Sequence, residues 1–412
     1  MTFPITSIRA QFPSLNRTLN SPSGVRPTYF DNPGGTQVPE PVISAVSNYY
    51  RFANSNIGGA FETGRETDRI IHHARTAMAA LLNAPGTENI VFGPNMTTLT
   101  FHLARSVADS IQPGDEIILT DLDHDANVTP WTDLQANGAV IKYVRLLPDC
   151  RLDLEHYGSL LGPKTKLVAI THASNAVGVI PPTAQMVRLA TAAGAITFVD
   201  AVQFAPHGVI DVQALDCDIL ACSAYKFFGP HIGILYGKTD LLRDLQPHKV
   251  RPAKDVLPNR WETGTQNHEC IAGVGAAVEY LASLSDLKNG NLRSRLVNSM
   301  SSIRSYEQTL SKAMLAGLST IPGVTIYGPS NPDNVEERLP TVAFNLAGKN
   351  AGEVAEYLGS RGIFTWSGNY YALRLMEKLG LEGHGGAVRV GAAHYNTLEE
   401  IDTLITTLKA MG

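Results

Sequence analysis

The sequence predicts an α/β fold, in which a large domain with a doubly wound, mainly parallel sheet is followed by a smaller α+β domain. Two observations predict it. Short apolar runs alternate with amphipathic helical segments through the first two thirds of the chain, which is typical of a parallel sheet with helices on both faces. Further strand patterns and a capped final helix follow. We expect an N-terminal arm at 1–20, the large domain at 21–290 and the small domain at 291–412.

The first elements are an irregular arm and two helices. Residues up to Asn20 show no period, and the string FDNPGGTQVPEP supplies turn residues and a proline suited to a helix start. Val42 and Val46 then recur at helical spacing. The glycine-rich NSNIGGAFETG lacks phosphate-loop spacing, so a simple loop and a substrate-facing loop both stay open. An amphipathic helix at 66–82 stops before Asn83 and Pro85.

Strands and helices then alternate strictly. We predict strands at 90–92, 116–120, 140–144, 167–171, 196–199 and 219–224, and the last of these is followed by the stretch GILYG at 233–237. We predict helices at 97–109, 127–136 and 183–193, and a long helix from about residue 271. The small domain offers strands at 324–327, 341–346 and 387–392. Its last helix opens with Thr397 and Glu400, which have the spacing of a capping box.

Composition excludes several classes of protein. A formal net charge of −5 over 412 residues predicts neither a nucleic-acid partner nor a membrane surface. No apolar run reaches membrane-spanning length, and the N-terminal residues lack a signal pattern, so we expect a cytoplasmic protein. The four cysteines show no CxxC pairing, which indicates reduced thiols. Adjacent His72 and His73 point to different helix faces, so we expect no metal site.

Two predicted strands end in residues that can carry chemistry. Asp200 follows the strand at 196–199, and Lys226 follows the strand at 219–224. Strand ends of an open α/β sheet line the ligand crevice, so both side chains should face one cleft. Singly, such a lysine is usually solvated and such an aspartate usually caps a turn. Together, an amine that condenses with an aldehyde and an acid that protonates a pyridine nitrogen indicate a pyridoxal 5'-phosphate enzyme.

The string VDAVQ…DCDILACSAYKFFGPHIGILYG resembles the core of the class V aminotransferases, most closely the branch of cysteine desulfurases and selenocysteine lyases. The similarity runs from about Phe30 to the C-terminus. It implies a fold-type I pyridoxal phosphate enzyme that acts on a small amino acid. It also implies a homodimer with a shared active site, in which Lys226, Asp200 and His124 are catalytic.

The resemblance assigns further roles. The turn before the helix at 97–109 would bind the cofactor phosphate, although such turns usually bind nothing. Arg389 would grip the substrate carboxylate bidentately. His124 would stack on the cofactor ring, and Thr265 would reach it from the partner subunit. Without the resemblance, structural roles for His124, Asn175, Gln203 and Arg389 stay open. The implied cofactor-binding residues are Asn95, Met96, Thr97, His124, Asn175, Asp200, Gln203, Ser223, Tyr225, Lys226 and Thr265.

The chain departs from the desulfurase pattern at one loop. Desulfurases carry a nucleophilic cysteine in strings such as RTGHHCA, whereas this chain has WSGNYYA, with Tyr371 at the cysteine position and Trp366 in place of arginine. Tyr225 likewise replaces a histidine. We therefore expect an aminotransferase, with Trp366 and Tyr371 binding substrate. The alternatives are a C–S lyase or β-elimination without a catalytic cysteine, an amino-acid epimerase, and a catalytically silent binding module.

Overall fold

The structure is a computed structural model that describes residues 3–18, 26–287 and 289–411. The strands are β1 (Thr28–Tyr29), β2 (Ile90–Gly93), β3 (Glu116–Thr120), β4 (Val140–Val144), β5 (Thr165–Thr171), β6 (Ile196–Asp200), β7 (Ile219–Ser223), β8 (Gly233–Gly237), β9 (Val324–Tyr327), β10 (Thr341–Leu346), β11 (Ile363–Phe364), β12 (Trp366–Gly368) and β13 (Ala387–Gly391). The helices are α1 (Ile5–Arg9), α2 (Glu40–Asn48), α3 (Glu62–Leu82), α4 (Met96–Ala108), α5 (Thr129–Thr132), α6 (Leu154–Leu160), α7 (Thr183–Ala192), α8 (Val212–Leu215), α9 (Thr239–Asp244), α10 (His268–Ser283), α11 (Leu292–Ser319), α12 (Ala351–Gly359), α13 (Leu373–Lys378) and α14 (Leu398–Lys409).

The main sheet confirms the predicted large α/β unit. Within the described ranges it has seven strands in the order β2-β8-β7-β6-β5-β3-β4. The strands from β7 to β4 are parallel, β8 runs antiparallel to them, and the edge strand β2, antiparallel to β8, has the same direction as β7. The carboxyl ends of β6 and β7 therefore lie side by side, which is the arrangement expected for a cleft at this edge.

Helices cover both faces of this sheet. Leu220 and Cys222 of β7 belong to a core shared with α3 and α10, whereas Ile219 and Ala221 belong to a core shared with α4. Neighbouring residues of a strand point to opposite faces, so the alternation shows that β7 is buried on both sides. The predicted doubly wound arrangement is confirmed.

A four-stranded sheet of order β12-β13-β10-β9, counted in the described part of the chain, forms the C-terminal unit. Its strands are antiparallel. The capping box of α14 is present, since Thr397 accepts from the amide of Glu400 and the Glu400 side chain accepts from the amide of Thr397. The ends of the chain meet here, because β1 pairs in parallel with β11 and Asn32 donates to the carbonyl of Gly391 at 2.7 Å.

Two sequence predictions were wrong in detail. The N-terminal segment is not irregular over its described part: α1 buries Ile8, and Phe12 and Leu15 join the same core, which fixes the segment. The helix expected at 127–136 is a short α-helix between 3-10 turns, because Pro130 lacks the amide that a continuous helix needs. Residues 19 and 20 of the arm lie outside the described residues, and the domain boundaries stay predictions.

No helix in the described ranges combines the length and the apolarity that crossing a membrane requires. In the same ranges, no group of three or more His, Cys, Asp or Glu side chains is arranged to hold a metal ion.

Candidate active site

Asp200 and Lys226 form the floor of a cleft at the ends of β6 and β7. Both side chains are buried. The Lys226 amine donates to the carbonyl of Pro33. Burial lowers the pKa of Lys226 to about 7, with a further lowering by Arg389 and an opposing effect from Asp200. A large fraction of the amine is therefore neutral near pH 7, as a nucleophile requires.

Asp200 is held by its own backbone. Its carboxylate accepts from the amide of Val202 at 2.9 Å. Burial raises the pKa of Asp200 to about 6, and the Val202 hydrogen bond and Lys226 oppose that rise. A cationic ring nitrogen beside Asp200 would lower the pKa of this carboxyl group again and keep it ionised, because a nearby opposite charge favours the ionised form.

The N-terminus of α4 closes one side of the cleft. Asn95 caps the helix by accepting from the amide of Thr98 at 2.8 Å, and the amide of Met96 donates to the Ser223 hydroxyl at 3.0 Å. The turn packs directly on β8, since a Cβ on Gly233 would lie 2.3 Å from the carbonyl carbon of Asn95. Amides at a helix start together with a strand-end hydroxyl are suited to an anion.

His124 lies in the turn after β3. Its Nδ1 accepts from the amide of Ala126 at 3.0 Å, which assigns the proton to Nε2. Burial, and next Lys226, lower the pKa of His124 to about 4, so the ring is neutral at pH 7. The preceding Asp123 is buried and accepts from Thr120 and from Asn127, which fixes the turn.

Asn175 and Gln203 present buried oxygen atoms that lack a hydrogen-bond partner among the described residues. The Asn175 amide nitrogen donates to the carbonyl of Tyr370 at 2.8 Å. Gln203 makes one long contact from its amide nitrogen to the hydroxyl of Thr341, at 3.5 Å. Buried polar atoms without partners are costly, so two such atoms in one cleft are suited to contact with a polar ligand.

Arg389 lies on β13 and is buried. Its Nη1 donates to the carbonyl of Asn175 at 2.9 Å, its guanidinium carbon lies 4.3 Å from the centre of the Tyr370 ring, and its Nε has no partner among the described residues. Burial lowers its pKa to about 10. The guanidinium is thus cationic at neutral pH and has donor capacity left for a carboxylate.

The loop after β12 is strained above the cleft. Tyr370 and Tyr371 both have a φ of 56°, a left-handed conformation that costs side-chain-bearing residues about 1–3 kcal/mol each. Fixed contacts maintain it: the Tyr370 hydroxyl donates to the carbonyl of Ala387, and the amide of Asp125 donates to the carbonyl of Tyr371 at 2.6 Å. The Tyr371 ring stacks on His124 with centres 5.6 Å apart.

Two connected cavities bring the predicted site residues together. The inner one, of about 60 Å³, lies between Asp200, Lys226 and the start of α4, and the outer one, of about 710 Å³, extends to Arg389. The predicted residues that line one or both are Asn95, Met96, Thr97, His124, Asn175, Asp200, Gln203, Ser223, Tyr225, Lys226, Trp366, Tyr371 and Arg389. Thr265 is exposed and does not line either cavity.

Sequence reasoning missed Pro33, Phe101 and Asp125. All three line the outer cavity, as does Tyr370, which the sequence suggested only as a further aromatic side chain of the substrate site. Pro33 and Asp125 belong to turns whose composition does not distinguish a cleft-lining loop from any other. Phe101 lies on α4, one turn beyond Thr97, and this spacing from a predicted site residue is the one signal that could have identified it.

A family model described as "Aminotransferase class-V" matches residues 28–404. The chain belongs to this family. Class V aminotransferases depend on pyridoxal 5'-phosphate, so the predicted cofactor, the fold-type I architecture and an enzymatic function are confirmed. The alternative of a catalytically silent binding module is set aside.

The similar proteins are named cysteine desulfurases. One from Escherichia coli (strain SE11) and one from Salmonella gallinarum (strain 287/91 / NCTC 13346) are each 35% identical, over 99% of this chain and 98% of the relative. Among solved structures, a cysteine desulfurase from Thermococcus onnurineus NA1 superposes with a TM-score of 0.88 at 28% identity. That match covers 100% of this chain and 98% of the other. One from Escherichia coli has a TM-score of 0.84 at 28% identity and the same coverage.

The residues of the cleft fit pyridoxal phosphate. The partnerless oxygens of Asn175 and Gln203 are buried beside the Lys226 amine. A buried acid stands at one end, and the first amides of α4 with the Ser223 hydroxyl stand at another. An amine, an acid, polar groups and an anion site converging in one cleft match the aldehyde, the ring nitrogen, the phenolic oxygen and the phosphate of that cofactor.

Proposed function

We propose that this protein is an aminotransferase for a free amino acid, and that it uses no cysteine persulfide. One observation carries the proposal. The loop over the cleft presents Tyr371 beside His124, and no described cysteine lines either cavity. A phenol does not accept sulfur as a thiolate does, so the chemistry must proceed through groups other than a thiol.

The proposed roles follow from position. Arg389 binds the substrate carboxylate, and the neutral Lys226 amine captures the cofactor and then moves the α-proton. When bound, pyridoxal phosphate supplies an electron sink for the pair released from the α-carbon. Asp200 keeps a ring nitrogen protonated. The neutral His124 ring covers one face of the inner cavity without adding charge.

The remaining residues are proposed to hold the cofactor. Asn95, Met96, Thr97, Ser223 and Tyr225 bind its phosphate. The side chains of Asn175 and Gln203 hold its phenolic oxygen by donating from their NH2 groups, each of which makes one contact within the described residues and has a second hydrogen to donate.

The cysteines are unsuited to sulfur transfer. Cys150, Cys217 and Cys222 are buried, and burial raises the pKa of Cys150 to about 11, that of Cys217 to about 12 and that of Cys222 further still. Cys270 is partly exposed at the start of α10, and its pKa is also raised, chiefly by burial. All four are therefore thiols rather than thiolates at neutral pH.

Elimination of a β-substituent without a catalytic cysteine is the second candidate. The sequence similarity to proteins named cysteine desulfurase over nearly the whole chain favours it. Both reactions begin with loss of the α-proton to Lys226. They would diverge in the next step: in transamination Lys226 would deliver that proton elsewhere than to the α-carbon, whereas in elimination a β-substituent would leave with its bonding electrons.

Single amino acids separate the two reactions. We expect the holoenzyme to be converted to its pyridoxamine form, with release of the corresponding 2-oxo acid, when mixed with a substrate amino acid. Release of sulfide from cysteine, or of pyruvate from β-substituted alanines, would instead establish elimination and overturn the aminotransferase proposal. Replacement of the most accessible thiol, Cys270→Ala, should leave the rate within about twofold, because surface substitutions away from a site are usually near neutral.

We also propose that two copies of the chain form a homodimer with Thr265 at the partner's site. A groove of about 1180 Å³ runs along α2, α3 and α10 and is lined in part by the exposed Phe52. Phe52 is 74% exposed, which is costly for an unpartnered phenylalanine. Phe52→Glu is expected to shift the protein from dimer to monomer in light scattering, and Leu398→Glu, an exposed leucine on α14, should not. A monomeric wild type would refute the proposal.

A further inference from the structure

The outer cavity has an aromatic wall next to Arg389, formed by Trp366, Tyr371 and Phe101. Trp366 and Tyr371 are 55% and 72% exposed, although both belong to residue types that gain strongly from burial. Trp366 and Tyr371 are not packed into a hydrophobic core, and aromatic rings of this kind do not form ion pairs, so neither role explains their exposure at the mouth of the cavity. Their cost is offset if a ligand covers them.

Trp366 is fixed beside the carboxylate anchor by strand register. It is the cross-strand partner of Arg389 in the antiparallel pair β12–β13. Side chains of directly opposed residues stand on the same face with Cβ atoms about 4.5–5.5 Å apart. A carboxylate held by Arg389 therefore brings the rest of the bound molecule against the indole.

The indole of Trp366 also packs against the backbone of Gly34. A Cβ on Gly34 would lie 2.9 Å from the Trp366 Nε1, so the ring packs where a side chain would otherwise be. On the other side, Tyr371 is held through its carbonyl by the amide of Asp125 and stacks on His124. The two rings are thus positioned by the fold before any ligand binds.

Charges around this wall are few. Lys226 and Arg389 lie at the base of the cavity, and Asp125 is the one carboxylate among its described lining residues. Asp125 already accepts from the Thr129 hydroxyl at 2.7 Å. The wall therefore offers apolar surface to a side chain rather than a counter-ion.

We propose that the substrate side chain is large and apolar, of the aromatic class, and that Trp366 determines this preference. The inference rests on the proposed function in taking Arg389 as the carboxylate anchor. It does not depend on whether the reaction is transamination or elimination. Tyr371 and Phe101 complete the surface that such a side chain covers.

Binding of carboxylic acids without an amino group tests the preference apart from catalysis. We expect 3-phenylpropionate to bind the wild-type holoenzyme at least about tenfold more tightly than propionate in titration calorimetry, with a negative heat-capacity change from apolar burial. Trp366→Ala should reduce this ratio below about threefold, and Trp366→Phe should keep most of it. Tyr371→Ala should also lower the ratio, which keeps the test valid if Trp366→Ala does not fold.

Several results would overturn the inference. The affinity ratio of 3-phenylpropionate to propionate could be unchanged in folded Trp366→Ala and Tyr371→Ala, or it could be below about threefold in the wild type. Either result would show that the aromatic wall does not determine specificity. Tighter binding of 6-aminohexanoate than of hexanoate would show that Asp125 selects a cation instead. Leu398→Ala should match the wild type. Failure of the amino-acid panel to give the pyridoxamine form would refute transamination while leaving these binding ratios unaffected.

Discussion

Lys226→Ala is expected to lower kcat/KM by at least about 10²- to 10⁴-fold, the range for loss of a positioned proton-transfer group. The variant lacks the amine that captures the cofactor and the base that takes the α-proton. Borohydride treatment of the wild-type holoenzyme should attach the cofactor covalently, as a mass increase on the peptide containing Lys226. The Lys226→Ala protein should show no such increase.

The pH dependence of cofactor capture provides a second readout. The neutral amine is the reactive form, and its pKa lies at about 7 rather than at the ordinary 10.5. Capture by the cofactor-free wild type should therefore accelerate as pH rises toward 7 and level off above it. A rate that still climbs steeply at pH 9 would contradict the lowered pKa.

The control for this variant is Lys238→Ala. Lys238 is half-buried at the end of β8, where it pairs with Asp216 and Asp218. Its replacement by alanine should leave cofactor capture and turnover unchanged. Lys226→Ala should also keep its fold, because the buried amine makes no ion pair with any described residue and its desolvation cost is removed. Full activity in a folded Lys226→Ala protein would refute the proposed mechanism.

Arg389→Gln is expected to lower kcat/KM about 10- to 150-fold, equivalent to about 1.5–3 kcal/mol for hydrogen bonds to a charged group. The effect should appear mainly in KM, because the anchor binds the carboxylate equally in the ground and transition states. Cofactor capture, followed by absorbance, should be retained. Glutamine keeps one donor but supplies neither the charge nor the planar fork.

Arg361→Gln is a matched control. Arg361 also stacks on a tyrosine, with its guanidinium carbon 3.6 Å from the centre of the Tyr357 ring, but it is exposed at the end of α12. Its replacement should leave KM unchanged. If Arg389→Gln behaved like Arg361→Gln, the substrate carboxylate would have to bind elsewhere.

The central strands and the residues at their ends could be predicted because each strand is an apolar run in the sequence and the reactive polar residue follows it directly. β3 and β4 have the predicted bounds, and Asp200 and Lys226 are the polar residues that end apolar runs. Helix α11 was not identified over its 28 residues. Its buried positions are interrupted by serines and charges, which obscures the helical period.

The outer cavity could not be predicted from local patterns. Trp366 and Arg389 are close because of the register between β12 and β13. Pro33 and Lys226 are close because the turn after β1 packs against the end of β7, which is distant in sequence. Nothing in the local composition of either partner specifies the other. The positive φ of Tyr370 and Tyr371 could not be predicted either, because tyrosine does not favour that conformation.

The pairing of β1 with β11 has a consequence for biosynthesis. The residues of β1 must wait for partners that are synthesised much later, and closing so long a loop is entropically slow. The turn after β1 carries Pro33, whose carbonyl receives the Lys226 amine. During translation, the segment that supplies this carbonyl to Lys226 can therefore settle on its final strand partner only after Phe364 has been synthesised.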